Sequence, residues 1–202
     1  MYKYIKRAID VVCSFFALVV LSPLLLITAI AIKLDSKGPV LFNQLRTGKG
    51  GKPFLVHKFR SMTVDEKNQE ITKVGKVIRK LSIDELPQLI NILKGEMSII
   101  GPRPWVAIYY DLFTDEQKRR NSIAPGLSGW AQVNGRADLN ILDRIELDLW
   151  YIDHMCFWLD LKILFKTIYS VIFRKGINIT TTIVDVELEV LQNMNRLNNK
   201  NN

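Results

Sequence analysis

Two acids stand side by side at Asp84-Glu85, inside Leu81-Ser-Ile-Asp-Glu-Leu-Pro-Gln-Leu89. Ser82 and Glu85 have the spacing of a capping box, whereas Pro87, which suits a first helical turn, argues for a slightly later start. A helix is expected from near Ser82, or slightly later, to just before Gly95. Either start leaves both carboxylates at a helix N-terminus, where the dipole favours anions, phosphate included. Acids are common in first turns, so starting the helix is a sufficient reason for them taken alone. Their company argues for more. Lys58 and Arg60 close a β-rich segment, Arg79 and Lys80 lie just upstream, and Arg103 sits in Gly101-Pro-Arg-Pro104. Paired carboxylates can hold Mg²⁺, and an ion with Arg and Lys around an acid supplies what phosphoryl transfer needs, charge neutralisation and in-line positioning. A carboxylate can also attack phosphorus itself and form an acyl-phosphate. Each basic residue taken singly reads as an ordinary surface charge.

Other reactive side chains carry weaker signals. His57 and His154 have no second His or Cys spaced to complete a zinc site, and packing or surface roles are expected of both. Gly48, Gly50 and Gly51 do not make a phosphate-binding loop of the Gly-Lys-Ser/Thr type and read as a turn. Trp130 can stack on a base, although a packed aromatic is the simpler expectation. Cys13 and Cys156 make no disulfide framework and agree with a cytoplasmic domain.

The elements that must position these residues follow from the pattern. Val40 to Gln44 and Phe54 to Phe59 are rich in β-formers and flank a Gly-rich loop, so they predict a hairpin. Residues 65–71 read as a polar loop, and a helix is expected over 72–80. Further helices are expected over about 105–120 and 141–152, with Pro125 to Arg136 as an irregular loop between them. Phe157 to Phe173 has apolar residues at helical spacing interleaved with Asp160, Lys162 and Lys166. It fits either an amphipathic helix packed on the core or one lying in a membrane interface with Trp158 and Tyr169 as anchors.

Val11 to Ile32 runs 22 residues without a charge. As a helix it measures roughly 33 Å, enough for a hydrocarbon core of about 30 Å. Ser22-Pro23 interrupts it near the middle. Pro23 has no N–H, so the Val19 carbonyl loses its helical partner, and the Ser22 hydroxyl is placed to replace it. Lys3, Lys6 and Arg7 precede the stretch; Lys33 and Lys37 follow it. Positive charge marks the cytoplasmic side, and here both ends carry it. A helix–break–helix that enters and leaves by one face satisfies the rule. A kinked span and a buried core helix are the alternatives. The run is too long for a signal peptide and has no cleavage site before Lys33.

Composition agrees with a membrane-bound catalytic domain. Of the +8 net charge, residues 1–101 hold all the excess, 16 Lys/Arg against 8 Asp/Glu, whereas 102–202 hold 12 and 12. That favours anionic lipid and phosphorylated substrates. Nucleic acid is the other usual partner of a basic chain, but no long basic helix, zinc-ligand spacing or aromatic–basic sheet signature is present.

These motifs in this order resemble the bacterial sugar transferase family, the monotopic polyprenyl-phosphate phosphoglycosyl transferases. The resemblance runs from about Lys6 to Arg174. It rests on Lys6-Arg7 before the Ser-Pro-broken stretch, Gln44-Leu-Arg-Thr-Gly48, Lys58-Phe-Arg-Ser-Met62, the Asp84-Glu85 segment, Gly101-Pro-Arg-Pro104, Pro125-Gly-Leu-Ser-Gly-Trp-Ala-Gln-Val-Asn-Gly-Arg136 and Leu147-Asp-Leu-Trp-Tyr151. The small size is similar to the minimal, diacetylbacillosamine-1-phosphate transferase type.

The resemblance implies an α+β, mainly helical fold: a re-entrant anchor over 1–36, a cytoplasmic catalytic domain over 37–180 and a variable tail over 181–202. It implies transfer of a sugar-1-phosphate from a UDP-sugar to polyprenyl (undecaprenyl) phosphate, releasing UMP, as the first membrane step of glycan or glycoconjugate assembly at the bacterial inner membrane. Asp84 would be the nucleophile, Glu85 with Asp84 the Mg²⁺ ligands, and Arg79 the contact for the lipid phosphate. Lys58, Arg60 and Arg103 would take donor phosphates. Pro102, Pro104, Trp130, Gln132, Asn134 and Arg136 are candidates for the donor pocket. Lys6, Arg7, Ser22 and Pro23 would set topology. Other glycan-assembly enzymes are possible partners. A catalytically silent membrane scaffold is the alternative, and the intact dyad argues against it.

Overall fold

The computed structural model describes residues 2–65, 69–135 and 139–173. The chain divides into two compact units, Met1–Gln44 with Leu55–Ile99, and Leu45–Phe54 with Ile100–Asn202. The fold is α+β and mainly helical, as the sequence predicts.

The first unit begins with α1 (Tyr2–Asp35), whose polarity is inverted relative to an ordinary surface helix. It buries Lys6, Asp10, Ser14, Thr28 and Ile32, and exposes Val12, Phe15, Phe16, Val19, Val20, Leu26, Ile27 and Ile30. Lys6, Asp10 and Ser14 recur every four residues and so share one helix face. Asp10 Oδ1 accepts the Ile99 N–H at 3.0 Å, and Ser14 Oγ donates to the Asp10 carbonyl at 2.6 Å. The expected division into two helices is not found. α1 stays helical through Pro23, and Ser22 Oγ donates to the Val19 carbonyl at 2.8 Å, the compensation the sequence predicts. Lys6 and Arg7, expected only as topology markers, are built into the fold. Lys6 is buried, and Arg7 donates to the Ile92 and Leu93 carbonyls at 2.5 and 2.8 Å.

β1 (Leu41–Thr47) and β2 (Pro53–Phe59) form the expected hairpin, its base in the first unit and its tip in the second. α2 (Lys73–Lys80) starts at Thr72, whose hydroxyl accepts from Gly75 N at 2.9 Å, while Asp35 Oδ2 accepts from Val74 N at 2.8 Å. α3 (Gln88–Lys94) ends at Gly95, which takes φ 87°, a conformation glycine adopts freely. Arg7 meets the carbonyls of that end, where a cation complements the helix dipole. β3 (Ser98–Ile100) closes the unit. Its apolar core joins Ile32 of α1, Phe59 of β2 and Ile78 of α2, with Val74 and Ile83 packed alongside.

In the second unit the single helix expected over 105–120 is interrupted. α4 (Ile108–Leu112) stops at Phe113, which is extended, and α5 (Asp115–Lys118) starts afresh. The cause is Thr114-x-x-Gln117, a complete capping box. The loop expected over Pro125–Arg136 instead holds β4 (Gly126–Ser128) and α6 (Trp130–Asn134). α7 (Ile141–His154) is capped by Asn140, whose Oδ1 accepts from Leu142 N and Asp143 N. α8 (Phe157–Ile172) buries Ile163 and leaves Trp158, Phe165 and Tyr169 exposed. Trp105, Tyr109, Phe113, Ile141 and Ile145 form the core. The tail expected over 181–202 lies outside the described residues.

Candidate active site

The acids are carried by a tight link between α2 and α3, and the N-cap Thr72 with two residues of α2 fixes where that link begins. Thr72, Gly75 and Arg79 fall on one helix face. Thr72 N donates to the Ser61 carbonyl at 3.1 Å. Gly75 lies so close to the same carbonyl that a Cβ there would stand 2.0 Å from its oxygen. One turn on, Arg79 Nε donates to Ser61 Oγ at 2.7 Å. Arg79 is thereby held by one nitrogen. Its terminal amines meet no hydrogen-bond acceptor among the described residues.

The link follows the later of the two expected helix starts, not the capping box. Ser82 sits in the left-handed region at φ 55° and its side chain caps nothing, so the capping box with Glu85 does not form. An N-cap residue takes extended dihedrals, and Ser82 is needed instead to reverse the chain after α2. Ile83 to Glu85 make one 3₁₀ turn, and α3 begins only at Gln88, after Pro87. The carboxylates therefore belong to a short turn ahead of α3.

Around that turn Lys58 Nζ meets Glu85 Oε1 at 2.8 Å, each side chain about one-fifth exposed. Burial, with a smaller contribution from the adjacent Glu85, pushes the Asp84 carboxyl up to about 6, while Lys58 and Arg79 oppose the rise. A carboxyl raised to about 6 is still mostly ionised at neutral pH. Lys58, Arg79, Asp84 and Glu85 are the sequence-predicted residues that this unit gathers.

Arg60 is placed elsewhere, which corrects its expected role toward a donor phosphate. It is buried, and its guanidinium donates to the Pro39 carbonyl at 2.6 Å, Ser36 Oγ at 2.7 Å, the Ser36 carbonyl at 2.9 Å and the Met62 carbonyl at 3.2 Å. Those bonds pin the chain leaving α1 to the end of β2.

The remaining candidates lie in the second unit. Gly101-Pro-Arg-Pro104 runs beside β4, with Gly101 N donating to the Ser128 carbonyl and Gly126 N to the Pro102 carbonyl, both at 2.8 Å. Pro102 and Pro104 are buried and Arg103 is exposed. The Arg103 carbonyl accepts from Arg120 Nη2 at 2.8 Å, and Arg120 also pairs with Asp148 at 2.6 Å and lies 4.3 Å over the Trp105 ring. Arg120 and Asp148 were not singled out from sequence, although Asp148 falls in the Leu147–Tyr151 motif. An acid inside an apolar helical stripe was the signal available.

Trp130 is stacked on Trp150 at 5.0 Å, with Lys166 and Lys162 near its ring, which is the packed-aromatic expectation. Asn134 bonds to the Trp130 carbonyl and accepts from Lys166. Both amide atoms of Gln132 are buried without a partner. Arg136 lies outside the described residues. His57 Nδ1 pairs with Asn43 Oδ1, and His154 Nδ1 with the Trp150 carbonyl.

Among the described residues no three His, Cys, Asp or Glu side chains gather as a metal cage. Two adjacent carboxylates fit an ion such as Mg²⁺, which takes one or two of them and fills its shell with water and substrate phosphate.

Comparison with known proteins places this site in context. The family model described as bacterial sugar transferase matches residues 1–174. The chain is 45% identical over 185 residues to the uncharacterized sugar transferase EpsL of Bacillus subtilis, covering 87% of this chain and 91% of that protein. It is 45% identical over 193 residues to the UDP-N-acetylgalactosamine-undecaprenyl-phosphate N-acetylgalactosaminephosphotransferase of Aeromonas hydrophila, covering 87% and 45%. It is 41% identical over 192 residues to the UDP-glucose:undecaprenyl-phosphate glucose-1-phosphate transferase of Escherichia coli, covering 86% and 41%. The chain thus spans less than half the length of the last two. Their names specify N-acetylgalactosamine and glucose, not diacetylbacillosamine.

Proposed function

The chain belongs to the bacterial sugar transferase family, and on that footing we propose that it transfers a sugar-1-phosphate from a UDP-sugar to polyprenyl (undecaprenyl) phosphate, with release of UMP. The observation that carries the reading is the half-buried Asp84, its carboxyl raised to about 6, set between Glu85 and the cations Lys58 and Arg79. In the proposed route an Asp84 oxygen attacks the β-phosphorus of the donor. The bond from that phosphorus to the bridging oxygen breaks, and UMP leaves with the oxygen. A phosphosugar-aspartyl group remains. A phosphate oxygen of the lipid then attacks the same phosphorus, the bond to Asp84 breaks, and the carboxylate is restored. Lys58 offsets the charge that gathers on the donor phosphates, and the terminal amines of Arg79 suit the lipid phosphate, since a guanidinium fork matches phosphate oxygens. Arg103 remains a candidate for a phosphate contact. Glu85 with Asp84 would hold Mg²⁺, which supplies charge neutralisation of the donor diphosphate when bound.

The same proposal includes topology. α1 is long and apolar enough to cross a membrane, yet we place both of its ends on the cytoplasmic face of the bacterial inner membrane. What supports this is that the two ends dock on one folded unit: Arg7 and Asp10 near the N-terminus bond to Ile92, Leu93 and Ile99, and Ile32 and Asp35 near the C-terminus meet Phe59, Ile78 and Val74. Between them only residues 15–27 include no buried position. Thirteen helical residues reach roughly 20 Å, short of a hydrocarbon core of about 30 Å.

The test of the reaction is a panel of UDP-sugars with undecaprenyl phosphate in detergent and Mg²⁺. UMP and a lipid-diphosphate-sugar should form together from at least one donor and stop in excess chelator. Failure of every donor in a folded preparation contradicts the proposal.

A further inference from the structure

We propose that Asn91 is a positioning residue: its side chain takes the place of a neighbouring strand along β2 and thereby fixes where Lys58 meets Glu85. The inference rests on the transfer reaction proposed above. Asn91 lies in α3 and is fully buried. Its Oδ1 accepts the His57 N–H at 3.0 Å, and its Nδ2 donates to the Leu55 carbonyl at 2.7 Å and to Glu96 Oε2 at 2.7 Å. Leu55 and His57 are two apart on β2, so their backbone groups point off the same edge of the strand. An amide that accepts from one and donates to the other makes the pair of bonds a strand would make there.

Only one orientation of that amide fits. Flipped, Oδ1 would face the Leu55 carbonyl and the Glu96 carboxylate, both acceptors, and Nδ2 would face an N–H. Three partners therefore fix one side chain in one pose. The consequence reaches the site through the chain. Lys58 follows His57 directly, and its ammonium meets Glu85 at 2.8 Å. Glu85 belongs to the turn that leads through Pro87 into α3, on which Asn91 sits. Asn91 thus ties the strand that carries the cation to the helix that follows the turn carrying the acids. Its side chain bonds to β2 and Glu96, so it acts on the reaction through Lys58 and Glu85.

The experiment is a double-mutant cycle on the full chain: wild type, Asn91→Ala, Lys58→Met and the double variant. Steady-state kcat and KM are measured for a UDP-sugar that the wild type turns over, at saturating undecaprenyl phosphate, with thermal midpoints in parallel. A misplacement of about 1 Å costs on the order of 100-fold in rate. Asn91→Ala should accordingly lower kcat by roughly 10- to 100-fold and leave KM nearly unchanged. In the Lys58→Met background the same change should cost less than about 3-fold, because the group it positions is gone. A loss of equal size in both backgrounds overturns the proposal and marks Asn91 as structural only. Should Asn91→Ala not fold, Glu96→Ala removes one of the three partners and leaves the strand contacts. It should lower kcat several-fold, again only when Lys58 is present, and an unchanged kcat overturns the proposal. Wild-type protein that releases no UMP from any donor instead refutes the reaction itself, and the positioning role falls with it.

Discussion

Asp84→Asn should make the folded protein more stable near neutral pH while ending turnover. Burial and the adjacent Glu85 hold the Asp84 carboxyl at about 6 rather than 3.8. A folded state that binds a proton more tightly than the unfolded chain is disfavoured when that proton is lost. The penalty is absent below about pH 3.8, grows through the window between, and is complete above about pH 6. At 1.36 kcal/mol per tenfold change in proton affinity, it amounts to at most about 3 kcal/mol, reduced by the residual exposure of the group. Asn keeps the shape and removes the charge. It should recover most of that energy at about pH 8 and almost none at about pH 4. The assay is thermal or urea unfolding in detergent, followed by tryptophan fluorescence at both pH values, wild type against Asp84→Asn. A variant no more stable than wild type at the higher pH refutes the reasoning, as does a gain of equal size at both.

Four further outcomes follow from the same geometry. The rate of UMP release should rise with pH along an acid limb near pH 6, since only the ionised Asp84 attacks, and a rate flat from about pH 5 to 8 would exclude Asp84 as the titrating group. Gly75→Ala should lower the unfolding free energy by about 1–3 kcal/mol or more and reduce activity, because its Cβ meets the Ser61 carbonyl at 2.0 Å and backbone cannot give way cheaply; a thermal midpoint equal to wild type would contradict this. Asp148→Leu should destabilise by about 3–5 kcal/mol in urea titrations by leaving the Arg120 guanidinium buried and unpaired, and a loss under about 1 kcal/mol would show that the pair is dispensable. With Cys13 and Cys156 replaced by Ser, Lys3→Cys and Lys37→Cys should both be shielded from an external thiol reagent in intact cells; labelling of one alone would establish a span.

The parts of the fold that were legible in the sequence are those fixed by local pattern. The hairpin was legible from β-forming residues around a Gly-rich loop, and α8 from helical spacing; α2, α7 and α8 fall within one or two residues of the expected bounds, while β1 runs three residues past Gln44 to Thr47. The acids and the cations Lys58 and Arg79 could be named as candidates by residue type, but the meeting of Lys58 with Glu85, 27 residues away, is made by the fold. What escaped depends on contacts between distant segments. The left-handed Ser82 cannot be read from a segment whose local spacing favours a capping box. Arg60 and Arg79 are both arginines near Ser61, yet one is turned inward onto Ser36 and Pro39 and the other keeps its terminal amines clear. Arg120 and Asp148 are 28 residues apart, and only packing on Trp105 makes the pair. The break at Phe113 was legible in principle, since Thr114-x-x-Gln117 is a local signal.

In the proposed reaction Asp84 becomes covalently bonded to the donor's phosphosugar. The direct measurement omits the lipid acceptor: enzyme and a sugar-labelled UDP-sugar substrate are mixed, UMP is counted per active site, and the protein is digested and mapped. A burst of about one UMP per site is expected, with label on the peptide containing Asp84 and neither burst nor label in Asp84→Asn. Full turnover with acceptor but no UMP and no labelled peptide without it would rule out the covalent intermediate and establish direct transfer from donor to lipid.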